Sequence, residues 1–475
     1  MRSNPHMGIK NAVSKTIAYA ERNGIKAAFY AAMERIKINS SEKYSYRELS
    51  EEVLREQNQE YRLLAETGDA VRFSIVVPLF NTPEVYLKQM IDSVVNQSYG
   101  NWELVLADAS EKSLDVAISA ANDDPRIKYY HLDKNAGISH NTNRGLEKAT
   151  GDYIGLLDHD DILTPDALYE VSRVIKKSMQ KNKLSRFIDC PIRLIYSNED
   201  KFEDEKGVRK FFELHEKPSF NMDLLLSNNY ICHFAVMRAD IIKRLKLRAK
   251  FDGAQDFDLF LRCCSEAALS MDMASGHIVH IDKVLYHWRC HRASTAANPA
   301  SKTYAYEAGQ AAIADVLKSN NINGEVVQLP HLGFYRVNYE RGILQERDDV
   351  ACVGGKLVNK KGRVAGGIYK KDKTAPFKNM PVSYSGGLQH RAVLTQDCYA
   401  VDIRSMAIDS LYKDIYKDVV GIDYVDTFTD PKADTTALFT GMSEDEIIDK
   451  SVRFCEEIKK RGKRVVWDPQ IIKRV

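Results

Sequence analysis

Acidic residues crowd together directly after an apolar run in the first third of the chain. Asp158, Asp160 and Asp161 follow the run IGLL, and helix-start signals at Thr164 and Pro165 come just after them. Carboxylates this close repel one another unless a cation lies between them, and Mg²⁺ and Mn²⁺ prefer such oxygen ligands. Capping of the next helix would explain one or two of these acids but hardly all of them. The cluster is therefore a candidate divalent-cation site.

A second group of acids lies in the segment GAQDFDLFLR, where a loop is predicted to enter an amphipathic helix. A sugar hydroxyl is a poor nucleophile at neutral pH, so an enzyme that transfers a group to it needs a carboxylate to accept the proton. Asp256 is the candidate for this general base, with helix capping as the alternative. Further along, YHWRCH follows a strand-like run. A histidine there could bind a metal, although a lone histidine is more often structural.

These residues need a scaffold, and the pattern from Phe73 onward supplies one. Apolar runs alternate with helical patterns, which predicts a parallel sheet with helices on its faces. The predicted strands are FSIVVPLF, WELVLAD, IKYYHL and DYIGLLD, and the predicted helices are YLKQMIDSVVNQ, the segment after Lys112 and SHNTNRGLEKAT. Ligands of open α/β sheets bind beyond the carboxyl ends of the strands. The first places to look are therefore Asn81, Asp108, Asn135 and residues 158–161.

Length and composition exclude several classes of protein. A chain of 475 residues is too long for one ordinary core and predicts at least two. Its 68 basic and 66 acidic residues nearly balance, so nothing global predicts a nucleic-acid partner. Eight cysteines without a C-x-x-C pair favour a reduced, cytoplasmic setting. No window approaches the roughly 18 to 20 apolar residues of a membrane span, so we expect a chain that does not cross a membrane.

The N-terminal part has a different pattern. Apolar residues recur at helical spacing among basic ones from Gly8 to about Ile38, which predicts a basic amphipathic helix pair broken near Asn23. Packing on its own domain is the favoured interpretation, and contact with an anionic membrane surface at the inner face is the alternative. A second helix is predicted from Tyr46 to about Glu66. Residues 1–70 are therefore interpreted as a helical extension.

Five separated motifs, taken in order, resemble those of the family-two glycosyltransferases, whose fold is called GT-A. They are SIVVPLFNTP, WELVLADAS, NAGISHNTNRGL, GDYIGLLDHDD and GAQDFDLFLR, followed by LYHWRCHRAST. The match extends from about Phe73 to Thr295, and it implies an α/β Rossmann-like GT-A catalytic domain at residues 71–330. Any one motif could arise by chance, but five in this order make coincidence unlikely.

The resemblance also implies roles for individual residues. The metal ligands would be Asp158 and Asp160, the family's D-x-D site, with His291 at the position of a late histidine that approaches the metal in some relatives. Asp256 would be the general base. The remaining residues would hold the nucleotide-sugar donor: Pro78, Phe80, Asn81, Asp108, Asn135, Gly137, Asn143 and, through the metal, Asp158.

The implied reaction is an inverting, Mn²⁺- or Mg²⁺-dependent transfer of a sugar from a UDP- or dTDP-sugar to a glycan or lipid-linked glycan. The segments LDHDD, YSNEDKF and LYHWR resemble especially those of bacterial transferases that build rhamnose-rich or similar surface polysaccharides. Rhamnose as the transferred sugar is therefore an expectation by analogy. A sugar-nucleotide nucleotidyltransferase is the enzymatic alternative, but no glycine- and basic-rich phosphate loop follows the first strand. A non-catalytic scaffold is the other alternative, disfavoured because Asp160 and Asp256 are both present.

The segment 331–475 is interpreted as an incomplete, non-catalytic copy of the same fold. Residues 451–475 have the same helix-then-strand order as the segment that begins at Asp256. Aligning Phe454 with Leu259 places Ser451 at the position of Asp256. The stretch before Val353 is too short to supply the strands that carry nucleotide and metal in the first domain. An unrelated α/β accessory domain is the alternative. Covering the first domain, holding the acceptor and forming a homo-oligomer interface are its candidate roles.

Overall fold

The computed structural model describes residues 44–121, 123–205, 207–268, 277–290, 303–426 and 435–475, with isolated positions between 17 and 33. From residue 44 onward, these described residues form two compact units. One unit consists of residues 44–220 and 229–316, and the other of residues 317–475 with the short segment 221–228. The predicted helix pair at residues 8–38 lies mostly outside the described residues.

The first unit follows the predicted order of helices and strands. Its helices are α1 (Glu51–Thr67), α2 (Glu84–Val95), α3 (Asp115–Ala121), α4 (Ile138–Lys148), α5 (Ala167–Asn182), α7 (Ala239–Leu245), α8 (Gln255–Ala268) and α9 (Thr303–Ser319), the last running three residues past the unit boundary. Its strands are β1 (Phe73–Leu79), β2 (Trp102–Asp108), β3 (Ile127–His131), β4 (Tyr153–Leu156), β5 (Ile162–Leu163), β6 (Leu194–Glu205), β7 (Val208–His215), β8 (Ala235–Arg238) and β9 (Ile278–Arg289).

Within the described residues these strands make one nine-stranded mixed sheet, ordered β3-β2-β1-β4-β8-β6-β9-β5, with β7 paired to β6. The first four positions are parallel, as the alternating pattern predicts. Strand β8 is antiparallel to both β4 and β6, whereas β9 is parallel to β6. The carboxyl ends of β1, β2, β3 and β4 therefore meet at one edge, where the predicted ligand-binding residues follow.

Close packing of α4 on the sheet fixes where the loop before that helix lies. A Cβ on Gly145 would come within 2.7 Å of Val76 Cγ1 in β1, so only glycine lets the helix approach this closely. The opposite face of β1 carries Phe73, Ile75 and Val77 into the main core, which buries the apolar side of α2. Helix and strand boundaries here follow the hydrophobic pattern because both faces of the sheet are covered.

The second unit has a smaller sheet. Its helices are α6 (Met222–Leu225), α10 (Ile343–Glu346), α11 (Lys413–Val420), α12 (Thr435–Leu438) and α13 (Glu444–Lys460). Its strands are β10 (Gly324–Gln328), β11 (Tyr335–Tyr339), β12 (Val350–Val358), β13 (Val364–Gly366), β14 (Ile368–Tyr369), β15 (Gln396–Asp397), β16 (Ala400–Val401), β17 (Met406–Ile408) and β18 (Arg464–Arg474). Within the described residues, five strands form a sheet ordered β13-β12-β18-β15, with β17 paired to β12. Trp467 and Phe454 lie in its own core.

Three smaller expectations can be compared with this structure. The predicted helix after Tyr46 begins at Glu51, capped by the Ser50 side chain. All eight cysteines are described, and each is a free thiol. In the described part of the chain, no helix is both long and apolar enough to cross a bilayer.

Candidate active site

The acidic cluster lies just past the end of β4, at the carboxyl edge of the sheet. The Asp158 side chain is 51% exposed, whereas Asp161 is fully buried. Asp161 accepts hydrogen bonds from the Tyr286 hydroxyl at 2.5 Å and from the Arg289 backbone N–H at 2.7 Å. Burial, and then repulsion by Asp160 and Asp158, raises the pKa of Asp161 well above its usual value. A cation would relieve this repulsion.

His233 lies between this cluster and a second, buried carboxylate. Its Nε2 is 3.5 Å from Asp158 Oδ2, and its Nδ1 is 3.2 Å from Glu199 Oε2. The imidazole stacks on Tyr286, with 4.7 Å between the ring centroids. The histidine precedes β8 and the glutamate lies in β6, so the pairing of these two strands brings them together.

Glu199 is anchored as an ion. Its carboxylate oxygens lie 3.1 Å from Lys217 Nζ and 3.1 Å from His215 Nδ1. Burial opposes ionisation, but Lys217 and the two histidines hold the pKa of Glu199 well below its usual range. Burial also opposes a charge on His233, yet Cys232 and the neighbouring carboxylates raise its pKa well above the usual value.

Two groups of side chains in the described residues have the spacing of metal ligands. The ligand atoms of Asp158, Asp161 and His233 lie within 4.8 Å of one another, and so do those of Glu199, Cys232 and His233. Two carboxylates suit Mg²⁺ or Mn²⁺, the added imidazole favours the transition metal Mn²⁺, and a thiol favours softer ions. The first group therefore fits the divalent cation that the resemblance implies.

The other two predicted metal ligands stand apart from these groups. Asp160 belongs to neither of them, and its backbone carbonyl accepts a hydrogen bond from Arg289 Nε. His291 falls in the stretch 291–302, outside the described residues. Metal binding by Asp160 and His291 stays a prediction.

Asp256 is the second residue of α8 and is half-buried. Its Oδ2 accepts a hydrogen bond from Asn229 Nδ2 at 2.9 Å. The pKa of Asp256 is raised overall, and burial is the main cause. The charge on His233 and the hydrogen bond from Asn229 act in the opposite direction, while the charge on Asp158 raises the pKa further. A carboxyl whose pKa is raised toward neutrality is better matched to accepting a proton from a hydroxyl. Asp258 faces elsewhere, since its carboxylate is buried against arginine side chains, Arg248 and Arg262.

The predicted donor residues at the ends of β1 and β2 form a compact corner. Asp108 is buried and accepts hydrogen bonds from the Ser110 and Leu114 backbone N–H groups and from the Tyr129 hydroxyl, at 2.9, 3.2 and 2.7 Å. Asn81 has a positive φ of 50° and donates its backbone N–H to Ser110 Oγ at 2.7 Å. Pro78 is half-buried in β1, and the Phe80 ring is exposed. Asp108 thus shapes the corner while the exposed ring is available to a ligand.

The loop before α4 carries the remaining predicted donor residues. Asn135 Oδ1 accepts from the Gly137 backbone N–H at 3.1 Å, and Gly137 has a φ of 92°. The Asn143 amide makes two hydrogen bonds to the backbone of Leu247, at 2.8 and 2.9 Å. Asn143 therefore ties α4 to the segment after α7, while Asn135 and Gly137 shape the loop.

Sequence patterns did not identify His233, Glu199 or Asn229 as site residues. Each lies far along the chain from the acidic cluster, and each comes close only through strand pairing around β8. Glu199 lies in the segment YSNEDKF, which is part of the family resemblance, but nothing in the spacing of that segment distinguishes Glu199 from its acidic neighbours.

Comparison with known proteins decides the family. The model described as "Glycosyl transferase family 2" matches residues 74–246. An uncharacterized glycosyltransferase of Haemophilus influenzae is 43% identical over 200 residues, which cover 42% of this chain and 74% of that protein. The chain belongs to glycosyl transferase family 2. The GT-A fold expected from the sequence is thereby confirmed.

Other similarities cover parts of longer proteins. The O-antigen biosynthesis protein RfbC of Myxococcus xanthus is 32% identical over 56% of this chain, but the match spans only 19% of that protein. Among solved structures, residues 1–349 of S. aureus TarS in complex with UDP superimpose with a TM-score of 0.38 at 16% identity, covering 52% of this chain and 65% of that one.

Proposed function

We propose that this family 2 member transfers a sugar from a UDP- or dTDP-sugar to a hydroxyl of a glycan acceptor during synthesis of a bacterial surface polysaccharide. The observation that carries this proposal is that Asn229 links Asp256 to the segment that holds His233: its Nδ2 donates to Asp256 Oδ2 at 2.9 Å, and its Oδ1 accepts the Cys232 backbone N–H at 3.4 Å. A candidate proton acceptor and a candidate cation site thus share one edge of the sheet. The similarity to RfbC, an O-antigen biosynthesis protein, supports the polysaccharide part of this proposal.

The proposed reaction is a single displacement with inversion. Asp256 accepts the proton of the acceptor hydroxyl, whose oxygen bonds to the anomeric carbon as the bond from that carbon to the diphosphate oxygen breaks. Asp158 and Asp161 would hold the cation, with Asp160 and His291 as further predicted ligands. A bound Mg²⁺ or Mn²⁺ would neutralise charge on the departing diphosphate.

The donor would lie over the ends of β1 and β2. The exposed Phe80 ring supplies an apolar face for a base, and Asn81 and Asp108 shape the adjoining corner. Asn135 and Gly137 would approach the sugar diphosphate from the loop before α4. A glycan or lipid-linked glycan acceptor then has to reach Asp256 from the side of α8.

We further propose that residues 317–475 do not catalyse transfer. This assignment keeps the sequence interpretation of residues 331–475 as an incomplete GT-A-like copy. Ser451, aligned with Asp256, is fully buried, and its hydroxyl is engaged with the backbone of Ile447 and Ile403. Such a group cannot act as a general base for an incoming sugar.

A thermal-shift panel of nucleotide sugars on the full chain tests the donor class. We expect UDP- or dTDP-sugars to raise the melting temperature only when Mn²⁺ or Mg²⁺ is present, because a ligand that binds the folded state stabilises it. Transfer from the stabilising donor to a glycan should then be measurable. A shift with nucleoside triphosphates but with no nucleotide sugar would contradict the proposal.

A further inference from the structure

His233 has no role among the proton acceptor and donor residues described above, yet it lies at the centre of the site. It contacts the exposed carboxylate of the acidic cluster on one side and a fully anchored carboxylate on the other. We propose that His233 is an imidazole ligand of the divalent cation held at Asp158 and Asp161, and that Glu199 orients its ring. This inference rests on the metal dependence in the proposed function.

The two ring nitrogens have different partners, which gives them different tasks. Nδ1 is 3.2 Å from Glu199 Oε2, close enough to donate its N–H to the carboxylate. Nε2 lies 3.5 Å from Asp158 Oδ2, and binding a cation beside Asp158 would require this nitrogen to be deprotonated. Metal-bound histidines commonly donate their second N–H to a carboxylate in this way, which fixes the tautomer and the ring orientation.

The ring plane is fixed from its flat side. Tyr286 stacks on the imidazole with an interplanar angle of 12°, and Trp288 packs against it at 5.6 Å between centroids. The Tyr286 hydroxyl also donates to Asp161 Oδ2. One tyrosine of β9 therefore positions two of the three proposed ligands.

The carboxylate behind the ring is itself built to stay charged. Glu199 is buried and paired with Lys217, whose side chain is completely inaccessible. Its Oε2 also accepts the backbone N–H of His233 at 3.3 Å. The buried pair of Glu199 and Lys217 holds the carboxylate in one position. In a surface ion pair, by contrast, fixing two long side chains costs about as much entropy as the pair contributes.

A different arrangement would make His233 only a charge partner of Asp158. A protonated imidazole could neutralise the cluster without binding any metal, and Nε2 would then hold a proton rather than a lone pair. The two arrangements differ in one measurable property, the presence of a nitrogen atom bonded to the cation.

Electron spin-echo envelope modulation of Mn²⁺ bound to the full chain with UDP measures this bond. The wild-type protein should show coupling to a ¹⁴N imidazole nitrogen, replaced by ¹⁵N coupling when the chain is made with ¹⁵N-histidine. His233→Gln should weaken Mn²⁺ binding at least about tenfold, since loss of even an outer-shell partner typically costs 10- to 100-fold, and in the His291→Gln background it should abolish the coupling.

His159→Gln and His291→Gln are the matched controls, because the first lies inside the acidic run and the second is the sequence-predicted ligand. Both should keep the coupling, which supports the inference even when His233→Gln does not fold. Mn²⁺ binding without imidazole coupling, coupling that survives when His233→Gln and His291→Gln are combined, or its loss in either control would overturn it.

The same samples separate this inference from the proposed function. Sugar transfer by a wild-type chain that shows no imidazole coupling would overturn His233 as a ligand and leave the transferase assignment intact. Coupling in a chain that transfers sugar from no UDP- or dTDP-donor would support the ligand and overturn the proposed function.

Discussion

The half of the first sheet around β6 and the sheet around β12 share one pairing scheme. In each, a long strand, β6 or β12, pairs with the next strand along the chain, β7 or β13. The long strand also pairs with a later antiparallel strand, β8 or β17, and with a parallel strand that follows a helix, β9 or β18. In each, that parallel strand also has a short antiparallel partner. The scheme β6, β7, β8, α8, β9 thus recurs as β12, β13, β17, α13, β18.

The two regions differ at the position of the proposed general base. Asp256 in α8 accepts from Asn229, which precedes β8. Ser451 in α13 accepts from the backbone N–H of Ile403, which precedes β17, and donates to Ile447 in its own helix. The contact to the segment before the antiparallel strand is kept, but the carboxylate is not.

A second difference lies in the long strands. Each ladder has two register shifts, and one of them follows Ser197 in β6 and Gly354 in β12. Just beyond these points, Glu199 contacts His233 in the first region, whereas Lys356 donates to the Ala392 carbonyl in the second. Burial lowers the pKa of Lys356 to about 8. The two sheets therefore share a pairing scheme but carry an acid beyond the irregularity in one case and a base in the other.

The largest effect expected from this comparison is the loss of the proton acceptor. Asp256→Asn should reduce turnover by about 10²- to 10⁴-fold, the range of a general base, while the affinity for donor stays close to wild type. Steady-state transfer rates with calorimetric donor binding check this. Ser451 is aligned with Asp256 but lies in α13, so Ser451→Ala is the control and should leave turnover unchanged. A near wild-type rate in Asp256→Asn would remove the basis of the comparison.

The next effect concerns the free energy of unfolding of the second unit, residues 221–228 and 317–475. Arg347 is fully buried between Asp223 and Asp349, so Arg347→Leu should leave an uncompensated buried carboxylate and cost about 3–5 kcal/mol. A fall in Tm of roughly 10 °C is expected for a unit of this size. Donor binding per folded chain should not change. Lys373→Ala, which removes an exposed pair with Asp449, is the control and should leave the Tm unaltered.

A smaller effect should appear in the pH profile. Transfer requires ionised Asp256, whose pKa burial raises and the Asn229 hydrogen bond lowers, so activity should be lost as pH falls through that raised pKa. Asn229→Ala removes one of the contacts that lower this pKa and should move the acidic limb to higher pH. Asn228→Ala, whose side chain donates to the Gly333 carbonyl in the second unit, should leave the limb in place. An unshifted limb in Asn229→Ala would argue against Asp256 as the titrating base.

The sequence predicted the parts of this picture that depend on local pattern. The strand Trp102–Asp108 was predicted with its observed ends because it is a short apolar run between turn signals. Asp158 and Asp256 were identified because one ends an apolar run and the other opens a helix. His233 and Glu199 could not be found in this way, since only the antiparallel pairing of β8 with β4 and β6 brings them to the cluster. The pairing partner of a strand is not encoded in its own hydrophobic pattern.

Of the two regions, only the one around β6 is proposed to bind and use a nucleotide sugar. Isothermal titration of the full chain with UDP and with dTDP in the presence of Mn²⁺ measures the number of sites directly. We expect one equivalent of nucleotide per chain, lost in Asp158→Asn and kept in Asp449→Asn, which changes an exposed acid of α13. A second equivalent bound per chain, or one that survives Asp158→Asn, would contradict it.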